Sequence, residues 1–284
     1  MAVIVVVVSA PGTPGSPQAY AAAGRRLQLV ATGIGVQGLP INSILVVRPP
    51  EMSARKSGSA RPAVRAEQEL ATLDSTEDVR EGMAHLRRRC RVLTRLAETY
   101  GDPPLRRRPA GFPGLARIVI GQQLSVASAD AIAGRLEGLV VPLTAARLSE
   151  QSDESLRGVG LSFPKIRTLR ALAHALNGNE IDLDGLAQAR LDDVRLRLSR
   201  VQGIGCWTAD IYAMFCLGRR DAFAPGDLAL QEGVRLAYGE EKRPSERQLA
   251  EKAEAWRPWR AVAAALIWHA YGPLKAAQAE RTSA

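Results

Sequence analysis

The chain has 284 residues, a formal net charge of +9 and three cysteines. This length allows one large domain or two smaller ones with a real hydrophobic core. The cysteines (Cys90, Cys206 and Cys216) lie far apart, which argues against a disulfide framework or a zinc knuckle and favours a reduced, intracellular protein. The three histidines are equally scattered, so the sequence predicts no metal site.

The positive charge is concentrated at the start of the chain. Residues 1–65 contain seven lysines and arginines and one acidic residue, so they carry +6 of the total and leave +3 for the remainder. Basic composition therefore supports DNA binding only weakly. A phosphate-binding surface has to come from local arrangement.

Residues 1–65 also differ from the rest in composition. The apolar run from Ala2 to Val8 is too short to span a bilayer, and no basic segment precedes it as in a secretory signal. Proline, glycine and serine then dominate without a sustained period, which predicts a disordered N-terminal extension over residues 1–65. Met52 precedes a polar segment typical of an N-terminus, so a further hypothesis is that the residues before it do not belong to the natural protein.

Helical patterns begin after this extension. Ser75 followed by acidic residues predicts a helix start, and apolar residues at helical spacing continue that helix to about Tyr100. Ser125 is expected to cap a helix from Val126 to Leu139. Before it stands Gly121-Gln122-Gln123-Leu124-Ser125, whose two glutamines either bond to backbone at a helix junction or face DNA.

The most informative stretch runs from Leu191 to Asp227. Its pattern predicts a helix, a tight turn at Gly203-Ile204-Gly205, a second helix that stops at Gly218, and a loop that brings Asp227 to the start of another helix. Such a hairpin presents unpaired amides of a helix N-terminus on a glycine-lined surface, which suits a phosphate. The alternative is a hairpin whose glycines only permit a sharp turn.

Several separated segments resemble motifs of the helix-hairpin-helix DNA glycosylases, and most of all the AlkA-like 3-methyladenine DNA glycosylase II branch. They include Val201-Gln202-Gly203-Ile204-Gly205-Cys206-Trp207-Thr208-Ala209, Ala224-Pro225-Gly226-Asp227, Gly121-Gln122-Gln123-Leu124-Ser125 and Ile267-Trp268-His269. The resemblance extends over residues 110 to 272.

This resemblance implies a catalytic group. Asp227 would be the essential carboxylate, which stabilises positive charge on the sugar as the base departs. Trp207 and Trp268 would form the base pocket, because an electron-rich aromatic slot attracts the cationic alkylated purines. On residue type alone, Asp227 would be a helix cap and Trp268 a core residue, and the cap and catalytic roles are compatible.

The resemblance also implies the DNA contacts. The hairpin would bind the backbone through Gly203, Gly205 and Thr208, and Gln123 would be the wedge that enters the duplex where the base leaves. The family often holds a monovalent cation at the hairpin carbonyls, and this chain is expected to need no other cofactor. A damaged base has to be flipped out of the duplex before cleavage.

The predicted activity is monofunctional excision of alkylated purines such as 3-methyladenine and 7-methylguanine from duplex DNA, in base excision repair. Relatives that also nick the strand carry a lysine where this chain has Trp207, and the four close cysteines of an iron–sulfur cluster are missing. Ile211 and Leu228 stand where the branch often has an aromatic residue. Two alternatives remain open: a glycosylase for deaminated or oxidised bases, and a non-catalytic helix-hairpin-helix DNA-binding module.

The predicted fold is all-α and two-lobed, without the N-terminal β domain of some relatives. Residues 113–224 would form a helical-barrel lobe that contains the hairpin, and residues 66–112 with 225–280 would form a terminal-helix lobe. Asp227 would lie in the cleft between them. We expect a monomer that binds damaged double-stranded DNA and no membrane, in the cytoplasm of a bacterial-type cell in association with the nucleoid.

Overall fold

A computed structural model describes residues 70–283 of the protein. The predicted disordered extension at residues 1–65 and the hypothesis about Met52 lie outside the described residues. The chain divides into two compact units, Met1–Ser59 and Ala60–Ala284, and everything described below belongs to the second.

The described part of the chain is all-α, as the sequence predicts. Its α-helices are α1 (Thr76–Arg89), α2 (Arg91–Tyr100), α3 (Gly111–Gly121), α4 (Val126–Leu139), α5 (Ala145–Ser149), α6 (Asp153–Gly158), α7 (Phe163–Asn177), α8 (Leu191–Leu198), α9 (Cys206–Phe215), α10 (Leu228–Tyr238), α11 (Glu246–Ala253) and α12 (Arg260–Ser283). Between residues 70 and 283 the β structure amounts to one isolated antiparallel bridge, from Thr72 to Arg219. In the same range no helix combines the length and apolar character that crossing a membrane requires.

Two predicted helix starts are confirmed by their caps. The hydroxyl of Ser75 accepts from the amide of Asp78 at 3.2 Å, and the Asp78 carboxylate accepts from the amide of Ser75 at 2.7 Å, so α1 begins with a complete capping box. The hydroxyl of Ser125 accepts from the amide of Ser128 at 3.2 Å and caps α4. Both caps satisfy amides that a helix start leaves without an internal partner.

The prediction of one continuous helix to Tyr100 is wrong, because the helix is interrupted at Cys90. This residue has extended backbone angles, with φ −139° and ψ 104°, and it separates α1 from α2. Its thiol lies 3.2 Å from the hydroxyl of Tyr238, and Leu93 and Leu96 beyond the break are buried. Apolar spacing did not reveal the break because Cys90 continues the same apolar pattern in sequence.

The helices pack in two groups. Helix α12 packs against α10, α1 and α2, so both ends of the described region meet. In the middle of the chain, α3 packs against α4, α7 and α9, and α8 packs against α9. The division into lobes at residues 113 and 225 stays a prediction.

The loop of residues 216–226, which leads from α9 to α10, is fixed by buried charged groups. Arg219 is 1% exposed and donates to the carbonyl of Ala187 at 2.6 Å. Asp221 is 3% exposed and accepts from Arg260 at 2.9 Å. Arg219 is held by backbone carbonyls and Asp221 by an ion pair, and a buried charge of either kind tolerates little movement, since losing its partners would leave it uncompensated. The residue that follows this loop therefore has a defined position.

Candidate active site

Asp227 is the N-cap of α10, directly after the anchored loop. Its Oδ1 accepts from the amide of Leu230 at 2.8 Å, which satisfies a free amide of the first helical turn. The predicted capping role is confirmed. The bond also fixes the side-chain orientation of Asp227, because the carboxylate must stay over the helix N-terminus to make it.

Two tryptophans bind the same carboxylate. The indole Nε1–H of Trp207, in the first turn of α9, donates to Oδ2 of Asp227 at 2.9 Å. The indole Nε1–H of Trp268, on α12, donates to Oδ1 at 3.1 Å. All three side chains are half-buried. The structure thus brings together the predicted catalytic residue and both predicted pocket residues, which come from three different helices.

The two carboxylate oxygens of Asp227 are not equivalent. Oδ1 accepts from Leu230 and Trp268, whereas Oδ2 accepts from Trp207 alone. An ionised carboxylate offers about four lone-pair directions over its two oxygens. Oδ2 therefore keeps one acceptor direction for a water molecule or for a developing positive charge.

Phe215, at the end of α9, is a site residue that sequence reasoning missed. Its ring lies 5.6 Å from the ring of Trp268, centroid to centroid, with an interplanar angle of 32°. Such a tilted pair is within the range of favourable aromatic contacts. A signal was present, because Phe215 lies four residues after Ile211 and so shares its helix face. Phe215 thus places an aromatic ring one turn beyond Ile211, the position where the resemblance implies an aromatic residue.

A cation lies against this aromatic pair. The guanidinium carbon of Arg108 is 5.4 Å from the centroid of the Phe215 ring, within cation–π range. The amide of Arg108 also donates to the carbonyl of Phe215 at 2.9 Å, so the two residues are joined through backbone as well. Partial burial lowers the pKa of the Arg108 guanidinium, although the residue retains an exposed surface. Sequence reasoning also missed this residue, which stands in a run of arginines.

The hairpin between α8 and α9 uses its two glycines differently. Gly203 has φ +86°, a left-handed conformation that favours glycine, and a Cβ at this position would overlap Oγ1 of Thr168. Gly205 has ordinary angles, with φ −99° and ψ 179°, and a Cβ there would meet nothing within 4 Å. Gly203 is therefore required by the turn itself. Gly205 leaves the N-terminus of α9 open, and that helix begins without a side-chain cap.

Thr208 lies inside the hairpin rather than on its surface. It is 1% exposed, and its hydroxyl accepts from Nε2 of Gln122 at 3.0 Å. A DNA contact of Thr208 would accordingly be made by its backbone amide in the first turn of α9. The same Nε2 of Gln122 lies 3.5 Å from the carbonyl of Gly203.

The two adjacent glutamines have different environments. The side chain of Gln122 is turned inward to the hairpin, whereas Gln123 is exposed and has φ +57°. A positive φ is uncommon for a residue other than glycine and holds Gln123 in a sharp turn between α3 and α4. The structure shows the junction bond for Gln122, whereas the DNA contact of Gln123 stays a prediction, for which its exposed side chain leaves room.

An ion pair between half-buried Arg195 and buried Asp210 connects the hairpin to the loop before Asp227. Nε of Arg195, on α8, lies 2.5 Å from Oδ1 of Asp210, on α9, and another nitrogen of Arg195 lies 3.4 Å from the carbonyl of Phe223. Burial raises the pKa of Asp210 to about 6, and Arg195 opposes this rise by stabilising the carboxylate. The pair joins both hairpin helices to the loop that carries the candidate carboxylate.

Among residues 70–283 there is no group of three or more histidine, cysteine or acidic side chains that fits a metal ion.

Lys165, the lysine closest in sequence to the hairpin, donates from Nζ to the carbonyl of Ile120 at 2.7 Å. The predicted lysine position of the strand-nicking relatives is occupied by Trp207, which is bonded to Asp227.

The chain is similar to known DNA repair proteins in sequence. A family model described as "HhH-GPD superfamily base excision DNA repair protein" matches residues 116–258. The chain is 29% identical over 182 residues to DNA-3-methyladenine glycosylase 1 of Schizosaccharomyces pombe, a match that covers 62% of this chain and 79% of that one.

Two solved structures are also similar. One is a 3-methyladenine DNA glycosylase of Schizosaccharomyces pombe in complex with abasic DNA, with a TM-score of 0.63 and 26% identity over 66% of this chain and 95% of that one. The other is a DNA-3-methyladenine glycosidase from Bacillus halodurans, with a TM-score of 0.59 and 32% identity over 72% of this chain and 94% of that one.

Proposed function

The chain belongs to the HhH-GPD superfamily of base excision DNA repair proteins, and from this membership and the geometry around Asp227 we propose that it is a DNA glycosylase that releases alkylated purines from duplex DNA. The observation that carries the proposal is the meeting of Asp227 with the indole N–H groups of Trp207 and Trp268 at 2.9 and 3.1 Å. A DNA-binding module without catalysis would need Asp227 only as the cap of α10, which leaves the two indole donors to its carboxylate unexplained.

The proposed chemistry is cleavage of the bond between the base and its deoxyribose. The transition state carries positive charge on the sugar, as in other glycoside hydrolysis, and a fixed carboxylate stabilises that charge. Oδ2 of Asp227 has the free acceptor direction, so this oxygen would face the sugar or orient the attacking water. Trp207, and not a lysine, stands beside Asp227 at the position where strand-nicking relatives are expected to carry their nucleophilic amine. We therefore propose that water is the nucleophile and that the enzyme is monofunctional and leaves the strand intact.

The target base would be held by aromatic surfaces. Trp207 and Trp268 turn their N–H edges to Asp227, which leaves ring faces for stacking, and Phe215 lies against Trp268. Methylated purines such as 3-methyladenine and 7-methylguanine carry a positive charge in DNA, so they are attracted to aromatic faces and leave without protonation. This explains how a site with one suitably placed carboxylate can dispense with a general acid.

DNA binding would use the hairpin and the turn before α4. The open N-terminus of α9 at Gly205 offers amides to a backbone phosphate. Gln123 is exposed at a sharp turn and would enter the duplex as the wedge when the damaged base leaves. From the family resemblance we also propose that backbone carbonyls of the hairpin turn at residues 201–205 would bind a monovalent cation beside the phosphate.

We further propose that the protein acts as a monomer on damaged double-stranded DNA. One chain contains the carboxylate, both tryptophans and the hairpin. Because the substrate is chromosomal DNA, the proposed location is the cytoplasm of a bacterial-type cell, in association with the nucleoid.

The test is a base-release assay with defined duplexes that contain alkylated, deaminated or oxidised bases. We expect release of 3-methyladenine and 7-methylguanine without strand cleavage. The Asp227→Asn variant should lose at least about 100-fold in rate and still bind the duplex, whereas Asp193→Asn, at an exposed site on α8, should match the wild type. Undiminished release by Asp227→Asn would refute the proposal. Release of only deaminated or oxidised bases would keep the enzyme class and change the substrate.

A further inference from the structure

The turn between α3 and α4 has few bonds of its own. Residues 122–125 are joined to α3 by two backbone hydrogen bonds of 3.3 Å, from Gln122 to the carbonyl of Val119 and from Leu124 to the carbonyl of Gly121. Apolar side chains in the turn and just after it are solvent-facing, with Leu124 40% and Val126 77% exposed. A turn of this kind needs support from other elements if it is to keep one position, because little apolar surface is buried in it.

Lys165 supplies one support from α7. Its half-buried Nζ donates to the carbonyl of Ile120 at 2.7 Å, in the last turn of α3. Burial lowers the pKa of Lys165, and a cation in the first turn of a helix is also opposed by the helix dipole. A lysine in such a position is compensated by the free carbonyls at the end of α3, where the dipole favours a cation.

Gln122 supplies the second support and reaches to the hairpin. Its Nε2 donates to the buried hydroxyl of Thr208 at 3.0 Å and lies 3.5 Å from the carbonyl of Gly203. Thr208 belongs to the second helix of the hairpin, and Gly203 is its turn. One amide group therefore links the turn that bears Gln123 to both parts of the hairpin.

We propose that Gln122 and Lys165 are positioning residues that hold the Gln123 turn in register with the hairpin. This inference rests on the proposed function, because it takes the hairpin as the phosphate grip and Gln123 as the wedge. A duplex held at the hairpin would meet Gln123 at a fixed distance, so backbone binding and base extrusion would act as one rigid step. Within residues 70–283 the side-chain hydrogen bonds of Asp227 come from Trp207, Leu230 and Trp268, so cleavage of a base that is already extruded would not depend on Gln122 or Lys165.

The proposal is tested by comparing two duplexes that carry the same lesion. In one, 7-methylguanine is paired with cytosine; in the other, it faces an abasic-site analogue, so that extrusion costs less. For Gln122→Ala and Lys165→Met we expect single-turnover cleavage of the paired lesion to fall about tenfold, as for a lost hydrogen bond of this kind. Cleavage of the unpaired lesion and the Kd for duplex DNA should change less than about twofold.

Control variants separate this effect from general damage. Lys165→Arg keeps a donor for Ile120 and should restore most of the lost rate. Gln151→Ala and Lys275→Met, at sites away from the turn, should match the wild type on both duplexes. Melting temperatures and active-site titration give the fraction of each variant that is folded and active, and each rate is calculated per active enzyme. The proposal is overturned if a folded variant shows the same loss of single-turnover cleavage rate on both duplexes. It is also overturned if the variant cleaves the paired lesion at the wild-type rate.

A second readout does not depend on base release. With an Asp227→Asn background, 2-aminopurine placed next to the lesion reports loss of stacking as the base leaves the helix. We expect Gln122→Ala to reduce the fluorescence rise at saturating protein. An unchanged rise would count against the positioning role even if the wild-type enzyme released no base, and the failure of base release would then concern the proposed function alone.

Discussion

The indole Nε1–H of Trp268 donates to Oδ1 of Asp227 across 3.1 Å, although 41 positions separate the two residues in the chain. Trp207, which precedes Asp227 by 20 positions, donates in the same way to Oδ2. The N–H groups of both tryptophans orient the carboxylate. Under the proposed function their ring faces would in addition hold the base, and these two roles are separable by mutation.

Replacing Trp268 with phenylalanine separates these functions. Trp268→Phe keeps an aromatic face and removes the donor to Asp227, so we expect kcat to fall about tenfold to hundredfold, the cost of a hydrogen bond to a charged group. The Kd for duplex DNA should remain unchanged. Trp268→Leu removes the aromatic face as well and should raise KM in addition. Equal kcat in wild type and Trp268→Phe would contradict the orienting role.

Phe215 is expected to affect binding of the base and not the orientation of Asp227. Phe215→Leu keeps an apolar side chain of similar size but removes the aromatic contact with Trp268, worth about 1 kcal/mol in such pairs. We expect KM for a methylated duplex to rise about fivefold. The single-turnover rate at saturating protein should be close to that of the wild type. A loss confined to that rate, with KM unchanged, would show that Phe215 acts on the carboxylate rather than on the base.

Motifs in the sequence singled out Asp227, Trp207 and Trp268, and the structure shows that these three side chains meet. Their catalytic and base-binding roles stay predictions, because they come from the resemblance. Phe215 and Arg108 were missed for a physical reason. Spacing along one helix shows which residues share a face, but it does not show which residue from another element meets that face.

Side-chain burial was the second feature that the sequence could not predict. The sequence predicted Thr208 as a DNA contact, yet its hydroxyl is buried against Gln122. The break at Cys90 was also invisible, since a cysteine fits both an apolar helix face and a helix junction. In both cases the deciding contact comes from a residue more than 80 positions away, and local pattern carries no information about such a partner.

The two hairpin glycines make a matched pair for mutation. Gly203→Ala places a methyl group against Thr168 and forces a left-handed backbone on alanine, which costs at least about 1–2 kcal/mol. We expect a lower melting temperature and weaker DNA binding. Gly205→Ala meets open space, so its melting temperature should match the wild type, while its duplex Kd should rise because the methyl group obstructs a phosphate. Equal melting temperatures for both variants would contradict the assignment of the turn to Gly203.

Asp210 predicts a pH dependence of stability. Burial raises its pKa to about 6 in the folded protein, above the ordinary aspartate pKa of 3.8. The folded state therefore binds the proton more tightly, and this contribution to stability is full below pH 3.8 and is lost as the pH rises through about 6. Between pH 5 and 7.5 the free energy of unfolding of the wild type should fall by about 1 kcal/mol relative to Asp210→Asn. Urea titrations measure this difference, and parallel curves for the two proteins would contradict it.

Arg108 bears on which lesions the site accepts. Its guanidinium lies 5.4 Å from the Phe215 ring, and that ring lies 5.6 Å from the ring of Trp268. A base stacked at Trp268 would have this cation nearby. Two unit charges about 10 Å apart repel by about 1.7 kcal/mol at an effective dielectric constant of about 20, and salt reduces this for a partly exposed group. Arg108 should therefore act against cationic bases and leave neutral ones unaffected.

The corresponding experiment compares a cationic with a neutral lesion. For Arg108→Gln we expect kcat/KM for 7-methylguanine to rise by up to about tenfold relative to that for neutral hypoxanthine, with the gain shrinking as salt increases. Arg108→Lys keeps the charge and should resemble the wild type in this ratio. Arg91→Gln, at an exposed site on α2, removes the same charge elsewhere and should leave the ratio unchanged. If Arg108→Gln lowers kcat/KM equally for 7-methylguanine and hypoxanthine, the guanidinium supports Phe215 by packing, and its charge does not select the base.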